Sequence, residues 1–398
     1  MRILLTGPSL SHRNQGDNLL YFVVGEIIRR HYEGRVELIA FSSTPDPERI
    51  TAQAPWLRIV NPRRTPLLAL RTLLTADAYL IAGAIPFHDR FWLMLQQLCY
   101  AGVVKLRGGR FIVNAVSIQP IASRSCRLIF RLTQRLADSF TVRDSSSLEQ
   151  ARRLGAHPEP ARAVDPGFML QPAAADVVDR LWRAEGLPLG EKACGLGPHL
   201  FVNHGRYADA RYAFGIEYAE FTDAALDAYY DGMAEVADWL AERGPVVFFA
   251  LSTRMPPGDD RLASEWIVQR MRRPERAFIV RNEYGASELM GLLGRLDLYV
   301  STRLHGYALA AGAGVPSIAV EFHPKMRGLA QELGIECWVA PFLGISGAGV
   351  IALCESILRD LDASRRQLQA GLRSAAERST RQLEAALPSP GPTSRAES

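Results

Sequence analysis

The chain has 398 residues and 48% hydrophobic content, which predicts two domains of ordinary size with well-filled cores. Its 46 basic and 42 acidic residues leave a net charge of only +4, too small and too dispersed to indicate a nucleic-acid-binding protein. The five cysteines are far apart, with no C-x-x-C pair and no histidine at zinc-ligand spacing, so we expect a reducing compartment and no structural metal.

Short apolar runs alternate with longer segments of helical period along the first half, the pattern of a parallel sheet with crossover helices. The first run ends at Gly7-Pro8 and is too short for a signal peptide, so we expect a first strand and a cytoplasmic protein. Strands are predicted at Arg2 to Thr6, Val36 to Phe41, Ala78 to Ala82, Phe111 to Val116, Ser139 to Val142 and Ala163 to Asp165.

Between Gln171 and Pro198 the composition shifts to Ala, Gly, Pro and charged residues, which predicts a linker. The alternation then restarts, with strands predicted at Leu200 to Asn203, Val246 to Ala250, Ala277 to Val280, Leu298 to Ser301 and Ser317 to Val320. The uncharged stretch from Cys337 to Cys354 is interrupted by Pro341 and several glycines, so we interpret it as a strand, a loop and a helix start rather than a membrane span.

These elements predict an α/β fold of two Rossmann-like domains whose parallel sheets face a central cleft. The predicted divisions are an N-terminal domain over 1–175, a C-terminal domain over 176–350, a C-terminal helix over 351–386 and a disordered tail over 387–398. No Walker A sequence occurs, and no G-x-G-x-x-G follows the first strand, which argues against P-loop chemistry and ordinary nicotinamide binding.

The segment from Leu298 to Lys325 is the most informative for chemistry. A strand ends near Ser301 and a helix begins near His305, so Arg303 and His305 lie at a helix N-terminus, a favourable place for an anion. Arg303 can hold a phosphate or carboxylate through two parallel hydrogen bonds, and a bound polyanion would favour protonation of His305, making it a proton donor. The structural alternative is that Arg303 pairs with a carboxylate and His305 caps the helix.

Two features follow this helix start. The small residues from Ala308 to Gly314 allow the helix to approach the sheet closely, and Val315-Pro316 begins the next strand. Lys325, one of three lysines in the chain, comes just after that strand. It is predicted to point toward the same site, and the alternative is a solvated lysine at a helix start.

The order of these residues resembles the polysaccharide pyruvyl transferase family. The C-terminal half of that family carries an R-L-H turn, a small-residue helix, a G-x-P strand and a downstream lysine. Here they read Arg303-Leu304-His305, Gly314-Val315-Pro316 and Pro324-Lys325. Toward the N-terminus, the family's N-x-G-D and R-D-x-x-S sequences match Asn14 to Asp17 and Arg143 to Ser147.

The N-terminal motif residues have a structural and a functional interpretation. Gly16 permits a tight turn, and Asp17 is a good N-cap for a helix from Asn18 to Arg30, so Asp17 is either that cap or the group that deprotonates an acceptor hydroxyl. Arg143 follows a strand and is a candidate for substrate binding. Ser146 and Glu149 have the spacing of a capping box, so part of that segment starts a helix.

Further candidates have weaker support. Arg254, in a loop, and His204, near a strand end, are possible substrate contacts, although a loop arginine is more often solvated. Arginines at 124, 127, 131 and 135 recur at helical spacing and form a basic face. That face is either directed to anionic lipid, which predicts a peripheral membrane contact, or simply solvated.

The resemblance implies a GT-B-like transferase that moves the pyruvate moiety of phosphoenolpyruvate onto a sugar as a ketal and releases phosphate. In that reading His305 is the acid, Arg303 and Lys325 hold the donor, and Asp17 is the base, with Asn14 and Gly16 beside it. The acceptor would be a sugar of a polysaccharide or its lipid-linked precursor, and neither a cofactor nor a nucleic acid takes part. The alternatives are a glycosyltransferase that uses a nucleotide sugar and a catalytically silent sugar-binding member.

Overall fold

The computed structural model describes residues 1–7, 10, 15–44, 47–201, 222–253 and 259–389, without the side chains of residues 15–17 and 324. These residues divide into two compact units. The first contains Asp17–Pro166, the first strand and the end of the chain from Ala375, and the second contains Gly167–Ser374. The boundary therefore comes before the predicted one at residue 175, and the predicted C-terminal helix is shared between the units.

The sheet of the first unit has seven parallel strands. They are β1 (Arg2–Thr6), β2 (Glu37–Phe41), β3 (Leu57–Val60), β4 (Ala78–Ala82), β5 (Arg110–Val116), β6 (Ser139–Val142) and β7 (Ala161–Arg162). Their order is β3-β2-β1-β4-β5-β6-β7, so the direction of winding reverses between β1 and β4, as in a Rossmann-like sheet. The sequence analysis missed β3, and β7 lies before the strand predicted at residues 163–165.

Helices cover both faces of this sheet. They are α1 (Gln15–His31), α2 (Pro47–Gln53), α3 (Pro66–Thr75), α4 (Phe91–Leu106), α5 (Arg124–Leu136) and α6 (Ser145–Arg153). Successive strand residues point to opposite faces, so Tyr79 and Ile81 of β4 pack in the core under α3, α4, α5 and α6. Their neighbours Ala78 and Leu80 pack in the core under α1 and α2.

The second unit has a six-stranded parallel sheet. Its strands are β8 (Ala193–Gly197), β9 (Val246–Phe248), β10 (Ala277–Ile279), β11 (Leu296–Ser301), β12 (Ser317–Glu321) and β13 (Val339–Pro341). The order β10-β9-β8-β11-β12-β13 reverses between β8 and β11. Its helices are α7 (Ala175–Ala184), α8 (Asp223–Ala241), α9 (Asp260–Val268), α10 (Ala286–Leu293), α11 (Leu304–Gly312), α12 (Pro324–Glu332) and α13 (Gly347–Arg359).

The central strand β8 lies within the stretch predicted as a linker, and that prediction was wrong. Its sequence, Ala-Cys-Gly-Leu-Gly, lacks the bulky residues that usually indicate a strand. The glycines are required by packing, because a Cβ at Gly197 would overlap the hydroxyl of Tyr299, which is fully buried. The predicted strand at residues 200–203 is not a strand at Leu200 or Phe201, and the rest of it lies outside the described residues.

The last helix, α14 (Leu361–Ala386), belongs to both units. In the second unit Arg365 forms an ion pair with Asp297 at 2.7 Å. In the first unit the Ser379 hydroxyl accepts a hydrogen bond from the amide of Val164 at 2.7 Å. Leu387, expected in a disordered tail, is instead buried in the core beneath α1, and residues 390–398 lie outside the described part.

The uncharged stretch between Cys337 and Cys354 forms β13, a loop and the first part of α13, as predicted. Among the described residues, no helix combines the length and the apolar character needed to cross a bilayer.

We expect Gly197→Ala to destabilise the second unit by about 1–3 kcal/mol, because the added methyl group overpacks the core against Tyr299. Gly102→Ala is the control, since a Cβ at this position in α4 meets nothing within 4 Å. The control should be neutral or stabilising by up to about 1 kcal/mol because alanine favours a helix. Urea denaturation of both variants measures the difference, and equal midpoints would contradict the packing argument.

Candidate active site

The winding of the second sheet reverses between β8 and β11, which is its switch point. Polar side chains that are far apart in sequence lie close together there. His199 follows β8, Asp260 begins α9, and Arg303 follows β11 as the N-cap residue of α11. Because β8 and β11 are adjacent parallel strands that lead to opposite sides of the sheet, their carboxyl ends border a natural ligand crevice.

Asp260 is the centre of this arrangement. Its side chain is fully buried, and one carboxylate oxygen accepts the amide of Leu200 at 3.1 Å while the other accepts the amide of Ser252 at 3.0 Å. Both oxygens also accept hydrogen bonds from Arg303, with a distance of 2.8 Å from Nε to Oδ2. These bonds satisfy the buried charge and fix the side chain of Arg303.

Arg303 therefore pairs with a carboxylate, as the structural alternative predicted. The pair occupies one edge of the guanidinium and leaves the other edge open to a ligand. Asp260 is bonded to Nε and Nη2, and within the described part of the chain Nη1 makes no hydrogen bond. The Arg303 side chain is 19% exposed. A guanidinium has a second edge, formed by Nη1 and the remaining N–H of Nη2, which can bind a further phosphate or carboxylate with two hydrogen bonds.

The start of α11 carries the second predicted residue. His305 is the second residue of the helix, partly exposed, and next to the N-cap position of Arg303. The helix behind it is buried from Gly306 to Ala311, and a Cβ at Gly312 would lie 2.9 Å from the carbonyl oxygen of Phe168. Toward the sheet, a Cβ at Gly306 would lie 3.0 Å from Oγ of Ser301 at the end of β11, so the start of the helix approaches the sheet closely. The contribution of the small residues from Ala308 to Gly314 to that approach stays a prediction.

Lys325 lies in the first turn of α12, after β12, the strand next to β11. It is only 5% exposed, so the alternative of a solvated lysine is wrong. Its backbone amide donates to Nδ1 of His323, the N-cap residue of the helix, at 3.1 Å. Two neighbouring helices thus begin at this edge of the sheet, and their N-termini favour negative charge.

His199 is a second histidine at the switch point. Its Nδ1 lies 2.9 Å from the carbonyl oxygen of Leu200, which can only accept, so Nδ1 carries the proton and Nε2 is an acceptor. Nε2 is buried and has no hydrogen-bond partner among the described residues. Burial and the nearby charge of Arg303 hold the pKa of His199 well below its usual value. The ring stacks on Phe201, with centroids 4.4 Å apart, and its edge contacts Phe322.

In the first unit, Arg143 is buried and bonded to other side chains of the protein. Its guanidinium is only 5% exposed, bonded to Asp165 at 2.5 Å and to the hydroxyl of Ser117 at 2.9 Å. We therefore do not retain it as a substrate contact. The capping-box reading of Ser146 was also wrong, because Asp144 is the N-cap of α6 and accepts the amide of Ser147 at 2.7 Å.

The other N-terminal candidates lie at the margin of the described residues. Helix α1 begins at Gln15, so Gly16 and Asp17 lie in its first turn and Asp17 is not the N-cap that was predicted. The side chain of Asp17 is not described. Asn14, His204 and Arg254 lie outside the described residues, and their roles stay predictions.

Neither Asp260 nor His199 was predicted as a site residue. A weak signal existed for Asp260, because Asp259-Asp260 follows a loop and precedes a helical segment, but nothing local distinguishes the buried carboxylate from its neighbour. Asp259 is the N-cap of α9 and forms a partly exposed ion pair with Arg261. Among the described residues, no three His, Cys, Asp or Glu side chains are grouped so that they could hold a metal ion.

The two Rossmann-like units, with a polar cluster at the carboxyl edge of the second sheet, define a two-unit α/β protein of the GT-B-like class. Comparison with known sequences agrees, since the model of the family described as polysaccharide pyruvyl transferase matches residues 14–324. The chain belongs to the polysaccharide pyruvyl transferase family. The resemblance found in the motifs is confirmed.

A more specific relative is the amylovoran biosynthesis protein AmsJ of Erwinia amylovora, 23% identical over 110 residues. That match covers 28% of this chain and 26% of the Erwinia protein, so the chain matches about a quarter of its relative.

Solved structures with similar folds include UDP-GlcNAc 2-epimerase from Neisseria meningitidis, with a TM-score of 0.60 and 8% identity. That alignment covers 97% of this chain and 99% of the epimerase. A glycosyltransferase from Rickettsia africae has a TM-score of 0.57 and 11% identity, over 96% of this chain and 98% of the other. At such identities the likeness concerns the fold alone, and it confirms the predicted GT-B-like class.

We expect Asp260→Asn to destabilise the protein by roughly 3 kcal/mol or more, because it leaves the charge of Arg303 without its buried partner. The amide NH2 would also face the backbone N–H of Leu200 or Ser252. Asp259→Asn is the matched control, since asparagine still caps α9 and the partly exposed pair with Arg261 should contribute less than the pair of the fully buried Asp260. Urea denaturation distinguishes the two, and similar losses would contradict the central role of Asp260.

His199 should contribute to the pH dependence of stability. In the unfolded chain this imidazole is protonated near its ordinary pKa, whereas burial in the folded protein opposes protonation. The free energy of unfolding therefore decreases as the pH falls below about 6.5. The contribution is at most about 1.4 kcal/mol per pH unit. We expect His199→Gln to lose less stability than the wild type between pH 7.5 and 5.5 in denaturation experiments. Parallel pH profiles would show that His199 is not buried as a neutral group.

Proposed function

We propose that this transferase uses phosphoenolpyruvate as its donor and binds it at the switch point of the second unit. The observation that carries the proposal is the outer edge of the Arg303 guanidinium, held in place by Asp260 beside the N-terminus of α11. Phosphoenolpyruvate carries a phosphate and a carboxylate, both of which suit an arginine fork and helix N-termini. Lys325, at the start of α12, would add a second positive charge.

The chemistry then assigns a role to His305. In its protonated form it donates a proton to the methylene carbon of the donor, which leaves a cationic centre at the adjacent carbon. A sugar hydroxyl attacks that carbon, its proton passes to a base, and the carbon–oxygen bond to phosphate breaks with its electron pair. A second hydroxyl of the same sugar then forms the second carbon–oxygen bond and gives its proton to the departed phosphate, so one diol and one phosphoenolpyruvate give a cyclic ketal and inorganic phosphate. The donor dianion favours the protonated form of His305 that this needs.

The acceptor side belongs to the first unit in this proposal. Asp17 enters as the base, with Asn14 and Gly16 beside it, on the strength of the N-x-G-D motif that follows β1. His204 and Arg254 remain further candidates for contacts with substrate. The relation to an amylovoran biosynthesis protein supports an acceptor that is part of a polysaccharide or its lipid-linked precursor.

The nucleotide-sugar alternative has less support. A ribose needs an acidic side chain near the site, and Glu321 at the end of β12 is the nearby candidate in the sequence. Its carboxylate instead accepts a hydrogen bond from Nε of Arg327 at 2.9 Å and is 17% exposed. A nucleotide would therefore have to compete with Arg327 for this group.

The proposal is tested by incubating the protein with phosphoenolpyruvate and a panel of sugar acceptors. We expect acceptor-dependent phosphate release and a product heavier by the pyruvate ketal, and we expect His305→Ala to abolish both while the protein remains folded by circular dichroism. His157→Ala, which changes an exposed histidine of the first unit, is the control and should keep full activity. Stabilisation by nucleotide sugars but not by phosphoenolpyruvate in a thermal-shift assay would refute the donor assignment, and full activity of His305→Ala would refute its role as the acid.

A further inference from the structure

The outer surface of the α3, α4 and α5 layer exposes most of the large apolar side chains that face solvent. Of the twelve such residues in the described part of the chain, nine lie on these three helices. They are Leu67, Leu70, Leu74, Phe91, Trp92, Leu93, Leu106, Leu128 and Leu132. Leu67, Trp92 and Leu106 are 82%, 77% and 90% exposed, so they contribute little to the folded core.

Helix α4 lies between the other two and packs against both. The residues of its outer face follow one another at intervals of four and three positions, so they lie along one side of the helix and form a stripe. The stripe consists of Trp92, Gln96, Cys99, Val103 and Leu106, and none of them is charged. The helix thus presents an uncharged ridge about the length of the helix itself.

The segment that builds this surface is strongly basic. Residues 62–137 contain eleven basic and two acidic residues, a net charge of +9, so the rest of the chain carries −5 to give the total of +4. The basic residues are Arg63, Arg64, Arg71, Arg90, Lys105, Arg107, Arg110, Arg124, Arg127, Arg131 and Arg135. The even dispersal of charge expected from the total was therefore wrong.

Most of the basic residues have no carboxylate partner among the described residues, although Nε of Arg127 and Nε of Arg131 each donate to a backbone carbonyl oxygen. All ten arginines are exposed, and within the described residues none of them is within ion-pair distance of a carboxylate, whereas Lys105 pairs with Asp138. The two acidic residues are also exposed; Asp77 accepts the amide of Arg2 at 2.7 Å and Asp89 accepts the amide of Ala122 at 2.8 Å. Because basic residues outnumber them eleven to two, the segment keeps its positive charge.

We propose that the α3, α4 and α5 surface docks on an anionic lipid membrane. Leucine and tryptophan side chains insert into the headgroup region while surrounding arginines contact lipid phosphates, the combination typical of proteins that lie on a bilayer. A second copy of the chain fits poorly, because a symmetric contact would oppose two surfaces of like charge. A nucleic acid would match the arginines and leave the exposed leucines in water. The inference does not depend on the proposed reaction.

The test is flotation of the full-length protein with phosphatidylcholine vesicles, with and without phosphatidylglycerol. We expect binding to the anionic vesicles, weaker binding to the neutral ones, and release as salt concentration rises. The triple variant Arg71→Gln, Arg124→Gln, Arg135→Gln should lower the partition coefficient by about a hundredfold, since each basic residue near the lipid contributes roughly fivefold. Its control replaces Arg359, Arg366 and Arg373, exposed residues of α13 and α14, with glutamine and should leave binding unchanged.

The apolar part is tested separately. The double variant Trp92→Ser, Leu106→Ser should weaken binding to both kinds of vesicle, whereas Leu189→Ser, Leu343→Ser, which changes two exposed leucines of the second unit, should not. Absence of wild-type binding to anionic vesicles, or equal losses in the variants and their controls, would overturn the proposal. So would a wild-type dimer in solution that Trp92→Ser, Leu106→Ser converts to a monomer without any vesicle binding, because the surface would then join two copies.

Discussion

The buried carboxylate of Asp260 is the interaction on which the site of the second unit depends. It accepts the backbone N–H of Leu200 after β8, the backbone N–H of Ser252 after β9, and two hydrogen bonds from Arg303 after β11. One side chain thus holds three connections that leave the sheet at its switch point. Burying a charge is unfavourable unless each oxygen is satisfied, and here the folded loops themselves supply the donors.

This ion pair also determines how Arg303 can act. Because Asp260 balances its charge, Arg303 attracts a distant anion less than an isolated arginine would. Its orientation, however, is fixed by Asp260 before any ligand arrives. Because the guanidinium is already in place, little side-chain conformational entropy would be lost on binding. In the proposed function, the N-termini of α11 and α12 and the charge of Lys325 would supply the general attraction for anions. The fixed guanidinium would add a geometric requirement to that attraction.

The sequence predicted the part of this site that is local in the chain. Arg303 and His305 were found because the strand, the turn and the helix start are consecutive, so their spacing fixes their placement. Asp260 lies 43 residues before Arg303, and only the folded sheet brings the two together. Strand β8 was missed for a related reason, since the glycines that weaken its strand pattern are those that make room for Tyr299. Most other strands were predicted because they are fully buried apolar runs. Net charge was equally uninformative, since the total of +4 conceals a basic segment and an acidic remainder.

The shared helix α14 has a consequence for how the protein is made. Leu383, Ala386 and Leu387 complete a core whose other members come from the first 112 residues, and the hydroxyl of Tyr32 donates to the carbonyl oxygen of Pro388 at 2.5 Å. These closing residues are translated only after the second unit, Gly167–Ser374. On the ribosome, one face of the earliest-made strands therefore stays incompletely covered until the whole second unit has also been synthesised. The first unit begins before the second and completes its core after it.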